Sequence, residues 1–253
     1  MDENKRLLAT TETSLEIIEK LKQLDGGRVT EVADEVGIAP STAHSHLTTL
    51  EQRQFVIKEG DEYRLGLKFL ELGEHVQKND YFSLAESKAN QLAEETGGRA
   101  HFTVEEHGQG VYVYTFSGKH AIETYSREGR RFPLHQAAAG KAILAYLPDE
   151  QVDKIVDRYG LERRTDNTIT ERKELKSELA TIRDRNGVSF NHEEQVKGIR
   201  AVGAPICSPN KGVIGALSVS GPAHRFKGEF YEEQLPDIVI GTANELELQI
   251  QYS

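Results

Sequence analysis

Apolar residues recur at helical spacing through the first quarter of the chain and then pass into strand-like alternation. Leu15, Ile18, Leu21 and Leu24 form the stripe of an amphipathic helix. Thr13-Ser14-Leu15-Glu16 has the form of a capping box with Thr13 as N-cap, and Asp25-Gly26-Gly27 ends the helix. Val32, Ala33 and Val36 give the inner stripe of a shorter helix that Thr30 is placed to cap, and Gly37 follows where a left-handed turn is needed. Pro40 suits the first position of a third helix, whose Ala43, Leu47 and Leu50 face inward. Phe55 to Lys58 and Tyr63 to Leu65 read as two strands about a Gly60-Asp61 turn. Two helices across a Gly-containing turn, followed by a hairpin, predict a winged helix-turn-helix. The polar face of residues 41–49 then enters a major groove, and the hairpin meets the flanking backbone or minor groove.

Residues 67, 69, 70, 72 and 76 are apolar, which predicts a linker helix over 67–79 ending near Asn79-Asp80. Ser83 to Thr96 is a further amphipathic helix, stopped by Gly97-Gly98. Strands follow in "AHFTVEE" and "GVYVYTF", about a turn at residues 107–110, and in "AIETYS". Helices are expected at Ala138 to Leu147, Glu150 to Tyr159 and Glu171 to Arg185, then strands at Ile199 to Ile206 and Val213 to Ser220. A last helix begins near Tyr231. The organisation predicted is a winged helix-turn-helix at 1–66, the linker helix at 67–79 and an α+β domain at 80–253 built on a central antiparallel sheet. Alternation puts Ala216, Ser218 and Ser220 on one face of their strand and Gly215, Leu217 and Val219 on the other. Ala201 and Gly203 share a face with Ile199, so small side chains leave a hollow beside those two hydroxyls, suited to a small metabolite.

Charge changes the picture of the first domain. The 253 residues carry a net charge of -10, which works against unspecific binding to nucleic acid. Residues 1–80 hold 16 acidic and 10 basic side chains, so the expected DNA-binding part is the more acidic part. No lysine or arginine occurs from Gly37 through Gln52. Such a helix reads DNA through Ser, Thr and His on base edges and phosphates, and through its N-terminal backbone N–H groups. The residues expected on DNA are Ser41, Thr42, His44, Ser45, Thr48 and Thr49, with Arg28, Arg53, Lys58 and Arg64 supplying nearby charge. His46 points partly inward and is expected to pack. An acidic DNA-binding domain makes most sense where intracellular salt is high and counterion release yields little, which points to a halophilic host.

Other chemistry is poorly supported. No apolar run approaches the roughly 20 residues needed to span a bilayer, and no secretion signal is expected. The single cysteine, Cys207, forms no internal disulfide or thiolate cage, so a reducing cytoplasm is the expected compartment. "AAAGKA" lacks the first glycine and the final Ser or Thr of a phosphate loop, having His135 and Ala142 there. Histidines 101, 107, 120, 135, 192 and 224 show no metal-site spacing, so neither metal nor cofactor is expected. His135 is expected to hydrogen-bond backbone and shape the pocket. Glu193-Glu194, as neighbours, face opposite ways on a strand and are expected in a solvated loop rather than as a catalytic pair.

Several segments carry a family resemblance. "STAHSHLTTL", "YRLGLKFLELG", "PLHQAAAGKAILA", "NHEEQVKGIRAVGAPI" and "GALSVSGP" occur in the order found in IclR-type transcription regulators, and the whole chain resembles that family. The resemblance implies a GAF-like effector-binding domain after the linker helix, assembly as a homodimer or dimer of dimers, and double-stranded operator DNA as partner. It places effector contacts at Phe132, Ala138, Ala139, Asn191, Ala201, Ser218 and Ser220. Sugars, sugar acids and other small carboxylates are the effector classes it suggests. The family commonly has aspartate where Asn191 stands, often cysteine at Ala201 and often arginine at Ser45. Two other classes stay open at this point. A redox or hydrolytic enzyme on a GAF-like fold is one, although redox chemistry needs a second cysteine. A winged-helix protein-interaction module is the other.

Overall fold

The computed structural model describes residues 7–78, 81–122 and 126–252. The chain divides into units Met1–Lys78 and Asn79–Ser253.

In the first unit α1 (Ala9–Leu24), α2 (Val29–Val36) and α3 (Pro40–Gln52) surround Ile17, Leu21, Val32, Leu47, Leu50 and Tyr63. The α2–α3 turn has Gly37 at φ 73°, a conformation that costs glycine least. A short strand β1 (Gly27–Arg28) joins the wing hairpin of β2 (Val56–Glu59) and β3 (Glu62–Leu65) in the order β1-β3-β2. Helix α4 (Lys68–Gln77) follows, and the predicted stop at Asn79-Asp80 lies outside the described residues.

The helix starts differ from the sequence reading. Leu8, not Thr13, opens α1, and the Thr13 hydroxyl donates back to Ala9 O at 2.9 Å. Ala9, Thr10 and Thr11 extend the helix by a turn, which buries the capping signal inside it. Thr30 lies within α2; Arg28 is its N-cap, with its N–H donated to the Glu31 carboxylate at 2.7 Å. Leu15 and Leu24 remain 57% and 41% exposed, and Ile17 takes the inward position expected of Leu15.

The second unit is α+β and GAF-like. A six-stranded antiparallel sheet has the order β6-β5-β4-β9-β8-β7, from β4 (Arg99–Glu106), β5 (Gln109–Ser117), β6 (Arg131–Phe132), β7 (Ser189–His192), β8 (Ile199–Ser208) and β9 (Gly212–Pro222). Ala100, Phe102, Val202, Ala204, Leu217 and Val219 point from one face into the core built with α5 (Phe82–Thr96) and α9 (Leu235–Tyr252). The other face carries α6 (Ala138–Tyr146), packed on Ala216, on α7 (Asp149–Tyr159) and on α8 (Arg172–Asp184).

Two short strands, β6 and β7, escaped the sequence reading because neither is long enough to show alternation. The strand expected in "AIETYS" falls partly on residues outside the described ones, and residues 121, 122 and 126 lie in no strand.

Candidate DNA-reading face and effector pocket

Helix α3 buries Ala43 and Leu47 fully and turns Ser41, Thr42, His44, Ser45 and Thr49 outward, with Thr48 half-buried. Two hydroxyls lean on the helix: Ser45 Oγ donates to Ser41 O at 3.0 Å and Thr49 Oγ1 to Ser45 O at 2.9 Å. Both hydroxyl protons are thereby used within the helix, which leaves the oxygens as acceptors on the exposed face. His46 packs inward, 2.8 Å from Ser14 Oγ.

The surrounding cations are unequal. Arg28 and Arg53 are exposed, and Lys58 lies over the Tyr63 ring at 5.4 Å. Arg64, expected on DNA, sits half-buried between Glu62 at 3.2 Å and Glu59 at 3.6 Å. Its charge is thereby largely offset within the wing. Lys68, which sequence reading passed over, reaches Arg53 O at 3.3 Å and adds charge at the end of α3.

All seven residues assigned to the effector, namely Phe132, Ala138, Ala139, Asn191, Ala201, Ser218 and Ser220, line one cavity of about 400 Å³ in the second unit. Strand register brings them together. Ala201 pairs with Ser220 and Gly203 with Ser218, while β4 sets His101 opposite Ser218. A Cβ on Gly203 would lie 2.8 Å from the Ala138 carbonyl carbon, so glycine there lets α6 descend onto the sheet and roof the hollow. Ser189 Oγ ties that helix down by donating to Ala138 O at 2.5 Å. The first turn of α6 starts at Ala138 with no side-chain cap from the N-cap Ala137, so its initial N–H groups are available to a ligand acceptor.

Sequence reading missed much of the lining: His101, Tyr112, Gln136, Thr165 and Gln195, and the cations Arg130, Arg131, Arg164 and Lys197. Alternation in "AHFTVEE" sets His101 apart from Ala100 and Phe102, but only cross-strand register puts it beside Ser218 and Ser220. No acidic side chain lines the cavity among the described residues. Glu106 pairs with Arg131, and Asp166 lies 3.0 Å from Lys197.

Burial holds His101 neutral, with its pKa lowered to about 3 and the charge of Arg99 adding to the effect. Its Nδ1 is 3.2 Å from Thr115 Oγ1 and its Nε2 3.5 Å from Ser220 Oγ. The Ser220 hydroxyl donates to Arg99 O at 3.3 Å. As a neutral imidazole it carries one N–H donor and one acceptor nitrogen between Thr115 and Ser220. Tyr112 stacks on Phe132 at 4.4 Å, and burial pushes its hydroxyl up to about 12.

Asn191 lines the cavity, but its amide is engaged by the protein: Nδ2 donates to Gln136 O at 2.5 Å and Oδ1 accepts from Glu194 N at 3.1 Å. It shapes the wall more than it offers free hydrogen-bonding atoms.

Glu194 corrects the expectation of a solvated loop. It is 4% exposed and bonded to the equally enclosed Lys141, 2.8 Å away. Helix α6 supplies a buried counter-charge that no local pattern announces. His135 bonds backbone, with Nε2 3.1 Å from Glu162 O. Among the described residues, no three His, Cys, Asp or Glu side chains converge on a common point, and no helix is long and apolar enough to cross a membrane.

A winged helix-turn-helix with an outward polar recognition face, and a second unit enclosing a polar small-molecule cavity, define a ligand-responsive DNA-binding transcription regulator. The IclR helix-turn-helix domain matches residues 10–60, and the bacterial transcriptional regulator IclR C-terminal domain matches residues 73–248. The chain belongs to the IclR family. It is 30% identical over 251 residues to the probable HTH-type transcriptional regulator ArcR of Halobacterium salinarum, covering 97% of this chain and 95% of that one. The HTH-type regulator XynR of Escherichia coli is 32% identical over 85% of this chain and 86% of its own. The crystal structure of Thermotoga maritima IclR is 29% identical and superposes with a TM-score of 0.80 over 96% of this chain and 99% of that one.

Proposed function

We propose that the cavity of the second unit binds a small anionic metabolite, a sugar acid or other small polyhydroxylated carboxylate, and that binding adjusts operator affinity. The observation that carries this reading is the lining: Arg130, Arg131, Arg164 and Lys197, no acidic side chain among the described residues, and hydroxyl and imidazole groups on the floor. A carboxylate is met by guanidinium groups or by the N–H groups opening α6, and hydroxyls by Ser218 and Ser220, with Asn191 shaping the wall beside them. Only a difference in affinity between two arrangements of the DNA-reading heads can shift operator binding, so the effector must favour one of them, with α4 as the link.

The face we assign to the operator is Ser41, Thr42, His44, Ser45, Thr48 and Thr49, with Arg28, Arg53 and Lys58 beside it and Arg64 in a lesser role. We further propose a homodimer or dimer of dimers, acting in the cytoplasm where the DNA is. Leu15 and Leu24 on α1 and Leu70 and Val76 on α4 offer the apolar surface for pairing. The acidic first unit and the similarity to a Halobacterium regulator support a high-salt host.

The test is binding of the full chain to the DNA upstream of its own gene, with thermal-shift screening of sugar acids and small carboxylates beside neutral sugars. Acids that raise the unfolding midpoint and alter operator affinity are expected. Preference for neutral sugars refutes the anionic class, and sedimentation as a monomer of 28.3 kDa at micromolar concentration refutes the assembly.

A further inference from the structure

A lysine is an expensive residue to bury. Its ammonium loses its hydration, and a methionine fills similar space without that cost. Lys141 on α6 is 1% exposed, yet it does not line the effector cavity. Its Nζ lies 2.8 Å from the Glu194 carboxylate and 3.1 Å from Glu178 on α8. Burial pushes the Glu194 carboxyl up while Lys141 draws it back down.

What Glu194 holds gives this pair its meaning. The Glu194 carboxylate accepts from His192 N at 3.2 Å, and its own N–H donates to Asn191 Oδ1 at 3.1 Å. Its carbonyl accepts from Thr168 Oγ1 at 2.6 Å and from Thr165 Oγ1 at 3.2 Å. Thr165 shares its one hydroxyl proton between that carbonyl and Glu193 O, 2.8 Å away, and Asn191 reaches on to Gln136 O. The bonds from this one residue therefore reach three stretches of the cavity wall: Gln136 before α6, the turn from Asn191 to Lys197, and the loop with Arg164 and Thr165.

We propose that Lys141 is a positioning residue of the effector site. Through Glu194 it locks the 191–197 turn and the 164–168 loop into one rigid wall, and so fixes where Arg164, Gln195 and Lys197 stand. The proposal rests on the effector reading of the cavity for its consequence, but its geometry is tested without any effector.

The experiment is amide hydrogen exchange on the free, full-length protein carrying Glu194→Gln, with Glu178→Gln as control and Lys141→Met, alone and together with Glu194→Gln, to close the cycle. Glu194→Gln keeps the shape, and Lys141 keeps Glu178 as partner, so the fold is expected to persist. Amides of residues 164–168 and 192–198 should exchange about tenfold faster, with β8 and β9 unchanged, as for a local rather than global opening. Glu178→Gln should leave both segments protected. The double variant should exchange no faster than Glu194→Gln, since the two residues act through one link.

Unchanged protection in Glu194→Gln, equal loosening in Glu178→Gln, or summed effects in the double variant each overturn the proposal. Failure of every metabolite to bind would refute the effector reading instead and leave the exchange result standing.

Discussion

Replacing Asn191 with aspartate should harm this protein at neutral pH. Asn191 is 4% exposed, and its two amide atoms have opposite duties. Oδ1 accepts from Glu194 N at 3.1 Å, which a carboxylate can also do. Nδ2 donates to Gln136 O at 2.5 Å, and a carboxylate sets an oxygen against that carbonyl. Losing the bond removes about 1 kcal/mol, and a buried group left facing a like dipole costs about 1–3 kcal/mol more, so Asn191→Asp should destabilise by roughly 3 kcal/mol. Lys141 does not offset the loss, because it already serves two carboxylates.

Protonation reverses the loss, since a carboxyl O–H donates to Gln136 O as the amide does. The introduced group therefore has its folded pKa raised above an unfolded value of about 3.9, and a deficit of that size sets it near about 6. In that window the folded state holds more protons, so the variant loses stability as pH rises and regains it as pH falls. Urea unfolding of both proteins at pH 4.5, 6.0 and 7.5 reads this through tyrosine fluorescence. Of the nine tyrosines only Tyr63 belongs to the first unit, so the signal follows the second. A difference under about 0.5 kcal/mol at pH 7.5, or one that grows on acidification, refutes the reasoning.

Three further outcomes are expected. His101 is neutral in the fold, its pKa lowered from 6.5 to about 3. The unfolded chain thus binds the extra proton, and stability falls as pH drops below 6.5, by about 2 kcal/mol at pH 5. His101→Asn should remove this slope, whereas the contributions of His135 and His192, lowered in the same direction, remain in both proteins; an unaltered slope would show that His101 is charged in the fold. The Ser218 hydroxyl is not tied to another described group, while Ser220 already donates to Arg99 O, so Ser218→Ala should weaken binding of a screened acid by about 1–3 kcal/mol and Ser220→Ala by less. Matching loss of effector-free operator binding would mean fold damage instead. Operator affinity, measured from about 0.2 to 2 M potassium chloride, should fall with a log–log slope of only about -2 to -4 per dimer, and a slope near -8 or steeper would show reliance on phosphate charge after all.

The first unit was legible in the sequence because its signals are local. Helical spacing at Ala43, Leu47 and Leu50, a proline at the start of α3 and Gly37 in the turn each act within a few residues. Its errors were local too, since Thr13 and Thr30 have the right chemistry for a cap but fall inside helices that neighbouring residues extend. In the second unit, alternation correctly divided Ser218 and Ser220 from Leu217 and Val219, because side-chain direction on a strand is a property of the strand alone. The resemblance, rather than any pattern, indicated Phe132, Ala138 and Asn191 as neighbours of those serines.

Everything that depends on which strands lie side by side required the tertiary structure. The order β5-β4-β9-β8 carries His101 to Ser218, and β6 carries Arg131 to the rim from a segment too short to show periodicity. The Lys141–Glu194 pair spans 53 residues of sequence. Its two members look like solvated charges until α6 settles on Gly203 and encloses them. Pattern records which way a residue faces within its own element, whereas the charge and hydrogen-bonding state of the site arise from elements meeting across the sheet.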